Sequence, residues 1–431
     1  MTTLITNAKL VDPEKGEVSL GAALLQDGVI AEVFETPQPA VSFDIVPEDR
    51  RIDAAGKYLA PGIVDIGVKI CEPGERHKES YGSAGQAAAA GGITTIVTRP
   101  DTIPAVDTPE TLEFVRRRAN EAAPVNVLPM AALTKGRAGR EMTEIGFLMD
   151  AGAVAFTDCD SVVRDTKVLS RAMTYARALG ALVVGHPQEP ILSSGAATTS
   201  GKFASLRGLP AVSPMAERMG LDRDIALVEM TGVRYHADQI TTARALPPLE
   251  RAKRNGFDIT AGISMHHLTL NEFDVADYRT FFKVKPPLRT EDDRQVVVDA
   301  VKTGLIDIVG SFHTPQDEES KRLPFEEAAS GAVGLETMLP VLMRLYHSGD
   351  LDLPTLFRAL SLNPAKRLGL TCGRLQNGAP ADLVLFDPDK PIVLDRFKLL
   401  SKSKNTPFDG ARLQGKVLQT FVSGTSVYRS T

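Results

Sequence analysis

The sequence predicts an α/β protein: a (β/α)8 TIM barrel with a small β-sandwich domain built from both chain ends. Three observations carry that expectation. From about residue 61, eight short apolar β-type runs alternate with longer amphipathic segments. Both ends of the chain read instead as strands punctuated by turn residues. No Gly-x-Gly-x-x-Gly follows the first run, which argues against a doubly wound sheet.

Residues 1–59 are expected to form the N-terminal part of the β domain, through LITNAKLVD, GAALLQDGVIAEVF and RIDAAGKYLA. Residues 60–368 are the expected barrel. Its strands are GIVDIGV, TTIVTRP, VNVLPMAAL, AVAFTD, ALVVGH, GVRYHAD, DITAGIS and IDIVGSF. TPETLEFVRRRANEA, KVLSRAMTYARALG, MGLDRDIALVEMTG and EDDRQVVVDAVKTG carry helical patterning between them. Residues 369–431 return to strands with ADLVLFDP and KVLQTFVSGTSVYRS and complete the β domain.

Composition narrows the function classes. The chain has 431 residues, 43% hydrophobic and 24% charged, as ordinary globular proteins do. A net charge of −5 without a basic stripe argues against nucleic acid as a partner. No run of about 18 apolar residues predicts a membrane span. MTTLITNAKLVD reads as a strand and lacks the regions of a signal peptide. The three cysteines, Cys71, Cys159 and Cys372, are too scattered for a disulfide framework or a zinc knuckle, so a cytoplasmic location is expected.

In a barrel of this kind the chemistry sits at the C-terminal ends of the strands. A lone histidine there is by default a hydrogen-bonded structural residue, and an aspartate after a strand is commonly a helix N-cap. Several polar residues at successive strand ends count for more. The first run ends in Gly67, Val68 and Lys69, followed by Cys71-Glu72-Pro73-Gly74. The next gives Arg99-Pro100-Asp101-Thr102. Later ends supply Asp158, His186 and His236, then Lys285 in KVKPPLR, then Phe312, His313, Pro315 and Gln316.

Over essentially its whole length the chain resembles the dihydroorotases of the amidohydrolase superfamily, above all the class that associates with aspartate transcarbamoylase. The resemblance rests on GLPAVSPMAE near 208, MHHLTL, PPLRTEDDR, LPFEEAASGAVGLET, LNPAKRLGL, GAPADLVLFDP and SKSKNTPFDG. In that family the first strand ends in His-x-His, which holds catalytic zinc; Gly67 and Lys69 stand there. Glycine has no ligand atom, and an ammonium has no lone pair to give. The family arginine that binds the substrate carboxylate is Cys71 here, the substrate-binding asparagine of Pro-Asn-Thr is Asp101, and a second such asparagine is Lys285. Phe312 stands at the aspartate that binds metal and acts as general base, and Gln316 at a final histidine. A phenyl ring takes no proton. Asp158, His186 and His236 match family metal ligands and are candidates for a vestigial or single-zinc site.

The resemblance therefore implies no intact catalytic set and no cofactor beyond at most one zinc ion. It implies a catalytically inactive pseudo-dihydroorotase, a homo- or hetero-oligomer that supports aspartate transcarbamoylase in pyrimidine biosynthesis. The alternative is a divergent zinc cyclic amidohydrolase acting on dihydroorotate. A third reading is a barrel that binds a pyrimidine intermediate without turning it over. One geometric expectation follows: Lys69, as a buried ammonium, pairs with Asp158 in place of the metal.

Overall fold

In the computed structural model, which describes residues 2–35 and 46–430, both chain ends build one sheet. Residues 36–45 of the expected N-terminal part lie outside the described residues. β1 (Thr2–Asp12), β2 (Glu17–Gln26) and β3 (Val29–Glu35) form an antiparallel meander, and β4 (Arg51–Asp53) and β5 (Tyr58–Pro61) both run parallel to β1. The turn between β2 and β3 is Asp27-Gly28, both at positive φ, the geometry a two-residue hairpin demands.

The barrel begins immediately afterwards. β6 (Ile63–Val68), β7 (Ile93–Thr98) and β8 (Asn126–Pro129) form one parallel arc. β9 (Leu182–Gly185) starts the second arc. β10 (Thr198–Thr199) and β11 (Ala211–Val212) pair with each other in the loop that follows. β12 (Arg234–Ala237), β13 (Ile259–Ser264) and β14 (Ile308–Gly310) complete that arc. The expected strand AVAFTD is reduced to one residue: Phe156 bridges Ala131 on one side and Val183 on the other, joining the two arcs. Across the remaining seam, the buried Asp65 carboxylate of β6 accepts from Ser311 N at 2.8 Å and from Ser311 Oγ just beyond β14. Every residue of β6 and β7 is buried, as strands covered on both faces must be.

The four patterned segments are helices over Pro109–Ala122, Thr166–Leu179, Met215–Thr231 and Glu291–Lys302. Their starts are encoded locally: Thr108, Asp165 and Thr290 each accept from a first-turn amide. β15 (Leu383–Val393), β16 (Arg412–Val422) and β17 (Thr425–Arg429) then extend the N-terminal sheet, with β15 joining it at β5. The sheet buries its own core, including Ile5, Leu25, Leu59, Leu383 and Phe421. No helix among the described residues is long and apolar enough to cross a membrane.

Candidate site at the barrel mouth

The strand ends expected to carry chemistry line the barrel mouth, and most of their polar groups are satisfied within the protein. Gly67, next to last in β6, has φ +94°, a backbone conformation that favours glycine. A Cβ built there would lie 3.2 Å from the Phe312 ring. A Cβ on Gly310 would lie 3.3 Å from the other edge of the same ring. Phe312 itself has φ +47°, so backbone and side chain together place a phenyl group between the ends of β6 and β14.

Lys69 does not pair with Asp158. Its ammonium lies 3.0 Å from Asp101 Oδ2. Arg99, at the end of β7, grips the same carboxylate with two nitrogens, at 2.9 and 3.2 Å, and reaches Asp160 at 3.4 Å. Asp160 is held in turn by Lys285 at 3.1 Å and Arg137 at 3.3 Å. Burial disfavours ionisation of Asp101, but Arg99, then Lys69 and Arg137, hold its carboxyl below the usual range. Burial likewise opposes ionisation of Asp160, and Arg99 and Lys285 hold it well below that range. Four cations and two carboxylates thus link the end of β6, the end of β7 and the loops carrying residues 137, 160 and 285.

Asp158 is turned away because a closer partner has claimed it. Its carboxylate accepts from Thr134 N at 2.9 Å and from Thr134 Oγ1. Burial pushes its pKa up, which its Thr134 bonds only partly offset. His186 Nδ1 lies 3.1 Å from Asp238 Oδ1, and its buried Nε2 has no hydrogen-bond partner. His236 Nδ1 is 2.9 Å from Thr260 Oγ1, and burial pulls its pKa down to about 3, so the ring is neutral. His236 and Asp238 line a residual cavity of about 20 Å³ with Gly67, Arg99 and Phe312.

The expected trio of Asp158, His186 and His236 is therefore not brought together. Among the described residues, no three His, Cys, Asp or Glu side chains group as a metal site would require. The side chains present do not fit the metal pair that the family resemblance implies. Two of its ligand positions hold hydrogen and an ammonium, a third holds a phenyl ring, and Asp158 is committed to Thr134. Cys71 is buried, with its thiol pushed up to about 12 by burial, and is no anion receptor. Glu72 beside it is structural: it accepts from Tyr81 N at 3.1 Å and from Arg118 at 3.2 Å. His313 is sealed at the joint with the C-terminal segment. Its Nδ1 accepts from Gly334 N at 3.1 Å, so Nε2 carries the proton, and it lies 3.4 Å from Glu79 Oε2. Gln316 donates to Ser330 O at 2.9 Å.

Sequence reasoning assigned no role to Arg99, Arg137, Asp160 or Asp238. The available signals were an arginine ending an otherwise uncharged strand and the Asp-Cys-Asp spacing at 158–160.

Residues 56–245 match the family model described as Dihydro-orotase-like. A protein named Dihydroorotase from Wolbachia sp. subsp. Drosophila simulans (strain wRi) is 38% identical over 98% of this chain and 95% of its own length. One named Dihydroorotase-like protein from Pseudomonas putida is 38% identical over 98% of both chains. Among solved structures, an L-hydantoinase (dihydropyrimidinase) from Arthrobacter aurescens superimposes with a TM-score of 0.88 at 25% identity, covering 100% of this chain and 96% of its own. A D-hydantoinase structure, with a TM-score of 0.85 at 22% identity, shares the fold. With near-full-length relatives at this identity and the same barrel-plus-sheet architecture, the chain belongs to the dihydroorotase family.

Proposed function

We propose that this protein is a cytoplasmic dihydroorotase-family subunit without dihydroorotase activity that supports aspartate transcarbamoylase in pyrimidine biosynthesis. The observation that supports the loss of activity is the Phe312 ring standing against Gly67, with Lys69 drawn into the ion pair of Asp101, whereas the partner rests on the sequence resemblance alone. Opening a cyclic amide with metal-activated water needs a cation to lower the pKa of that water and a group to move its proton. At the positions assigned to those tasks stand a hydrogen atom, a paired ammonium and a hydrocarbon ring. The carboxylates left in the mouth, Asp101 and Asp160, are held ionised by Arg99 and its neighbours, which makes them weak bases. Loss of a general base alone costs on the order of 10²–10⁴ in rate.

The alternative, a divergent single-zinc hydrolase, finds support in the unpartnered His186 Nε2 and the neutral His236. It would need Lys69 or His313 as acid or base, yet one is bound to Asp101 and the other is enclosed against Glu79. Metal analysis of the purified protein with a dihydroorotate hydrolysis assay separates the two readings. The first expects substoichiometric zinc, a melting temperature indifferent to chelator, and no turnover. Firmly held zinc with enzyme-like turnover would overturn it. The partner claim is tested by co-purification and sedimentation with aspartate transcarbamoylase from the same cell. Independent migration at physiological concentrations removes it.

A further inference from the structure

We propose that the open cleft above the barrel mouth binds a small anion of two or more charges, borne on carboxylate or phosphate groups, held by Lys283 on the inner wall and by Arg140 and Arg164 at the rim. The cleft measures about 760 Å³, within the range of small-molecule sites (roughly 300–1,000 Å³). Five cationic side chains line it against three carboxylates, on a chain whose net charge is −5. Two of those cations, Arg137 and Lys285, are committed to Asp160. Asp165 is occupied in capping the helix Thr166–Leu179, and Glu326 is exposed.

Arg140 and Arg164 remain, and neither has an ion-pair or hydrogen-bond partner among the described residues. Lys283 is the sharper signal. It is only 7% exposed, and its ammonium donates to one acceptor, Glu326 O, at 2.8 Å. An ammonium has three donors, and burying it is costly unless opposing charge is close; the nearby Glu326 carboxylate offsets only part of that cost. Burial accordingly pulls its pKa down. An anionic group in the cleft would supply the missing acceptors, and a second acidic group would meet the arginine forks, whose geometry suits carboxylate or phosphate. None of these three residues stands where the family resemblance places metal ligands or substrate contacts. The inference goes beyond the proposed function, because binding here needs neither turnover nor a partner subunit.

The test uses the full-length protein at low ionic strength with succinate, pyrophosphate and acetate as probes, followed by thermal unfolding and titration calorimetry. Succinate or pyrophosphate is expected to raise the melting temperature beyond sodium chloride of matched ionic strength. A response to succinate alone identifies a dicarboxylate site, to pyrophosphate alone a phosphate site, and to both a site for either group. The doubly substituted Arg140→Ala, Arg164→Ala protein, altered only at exposed positions, should bind about tenfold more weakly. Lys283→Met should do the same, and if it fails to fold the double variant decides. Acetate binding as tightly as the multiply charged probes, no shift beyond the salt control, or unchanged affinity in the double variant would each overturn the proposal. The hydrolysis assay and co-sedimentation read different properties, so their outcome and this one are independent.

Discussion

The centre of the barrel mouth and the ring of buried locks around it contain similar residue types used in opposite ways. At the centre, Lys69, Arg99 and Asp101 spend their charges on each other, beside a phenyl ring seated on a glycine. In the surrounding ring, buried charges are spent on the backbone. Glu217, fully buried, accepts from Thr241 N at 2.7 Å, Thr242 N at 2.9 Å and Arg289 at 3.1 Å. Asn405 accepts from Gln316 N and donates to Thr314 O and Gly331 O, pinning the loop after β14 to the C-terminal segment. Glu79 accepts from Ser401 Oγ and Lys402 N across the same joint. These locks lie in or beside stretches that match the family's long motifs; the departures fall where side chains would have faced a metal or a substrate. The difference teaches that the two sets answer to different demands. A lock must satisfy a peptide group that cannot move, whereas a mouth residue freed from chemistry need only avoid an unpaired charge.

The sharpest way to break this contrast is to remove a lock. Glu217→Ala leaves Arg289, 2% exposed, without its counter-charge and strands two buried amides. Breaking one side of a buried pair costs about 3–5 kcal/mol, so urea unfolding should show a loss of that size. A loss under about 1 kcal/mol would mean that this pair is not a lock.

Next in size is a pH effect that separates the two regions by sign. Burial raises the Asp65 carboxyl to about 6, outweighing its Ser311 bonds. Between pH 4 and 6 the folded state then binds more protons at this site than the unfolded state, so this contribution to stability falls as pH rises. The cost above pH 6 is on the order of 3 kcal/mol. Asp65→Asn, which keeps an acceptor for Ser311 N, should flatten stability across that interval. Asp101 and Asp160 work the other way. Their folded values are depressed, so their stabilisation is complete above the unfolded carboxylate range and is lost as pH falls through and below it. Arg99→Met should weaken that acid limb and leave the Asp65 limb unchanged. Parallel pH–stability curves for the two variants would show that the regions are not distinct. Smaller again is Asn405→Ala, which removes three hydrogen bonds to the backbone. It should cost about 1–3 kcal/mol and raise proteolytic nicking in residues 316–331.

Much of the barrel was legible because each strand and helix announces itself within its own dozen residues. Thr108 and Asp165 cap the helices that the apolar spacing predicts, and the uncharged, β-branched run of β7 reads as a strand. AVAFTD was legible as a strand only in part: its ladder shrinks to the two bridges of Phe156. The departures at Gly67, Lys69, Cys71, Asp101 and Phe312 were visible as single letters within recognisable motifs. What a single letter does not carry is the partner. Lys69 was expected on Asp158, but that carboxylate is already bonded to the Thr134 backbone, while Arg99 fixes Asp101 within reach. Such choices are made between residues tens of positions apart and depend on which acceptor is satisfied first by the main chain. Local patterning holds no record of that competition.

The finest test concerns whether Gly67 and Phe312 are one change or two. At φ +94° any side chain at 67 is strained, so Gly67→Ala should cost about 1–3 kcal/mol whatever its neighbours. A methyl group 3.2 Å from the Phe312 ring adds a second, steric cost that depends on that ring. Phe312→Ala loses the ring's packing but removes the clash. A double-mutant cycle should therefore give a favourable coupling of about 0.5–1 kcal/mol, with the double variant more stable than the sum of the singles predicts. A coupling of zero would mean that the ring yields freely and the glycine answers only to the backbone. A positive result would tie the loss of a side chain at one strand end to the gain of a ring at another, so that restoring a histidine at 67 first requires removing the phenylalanine that occupies its space.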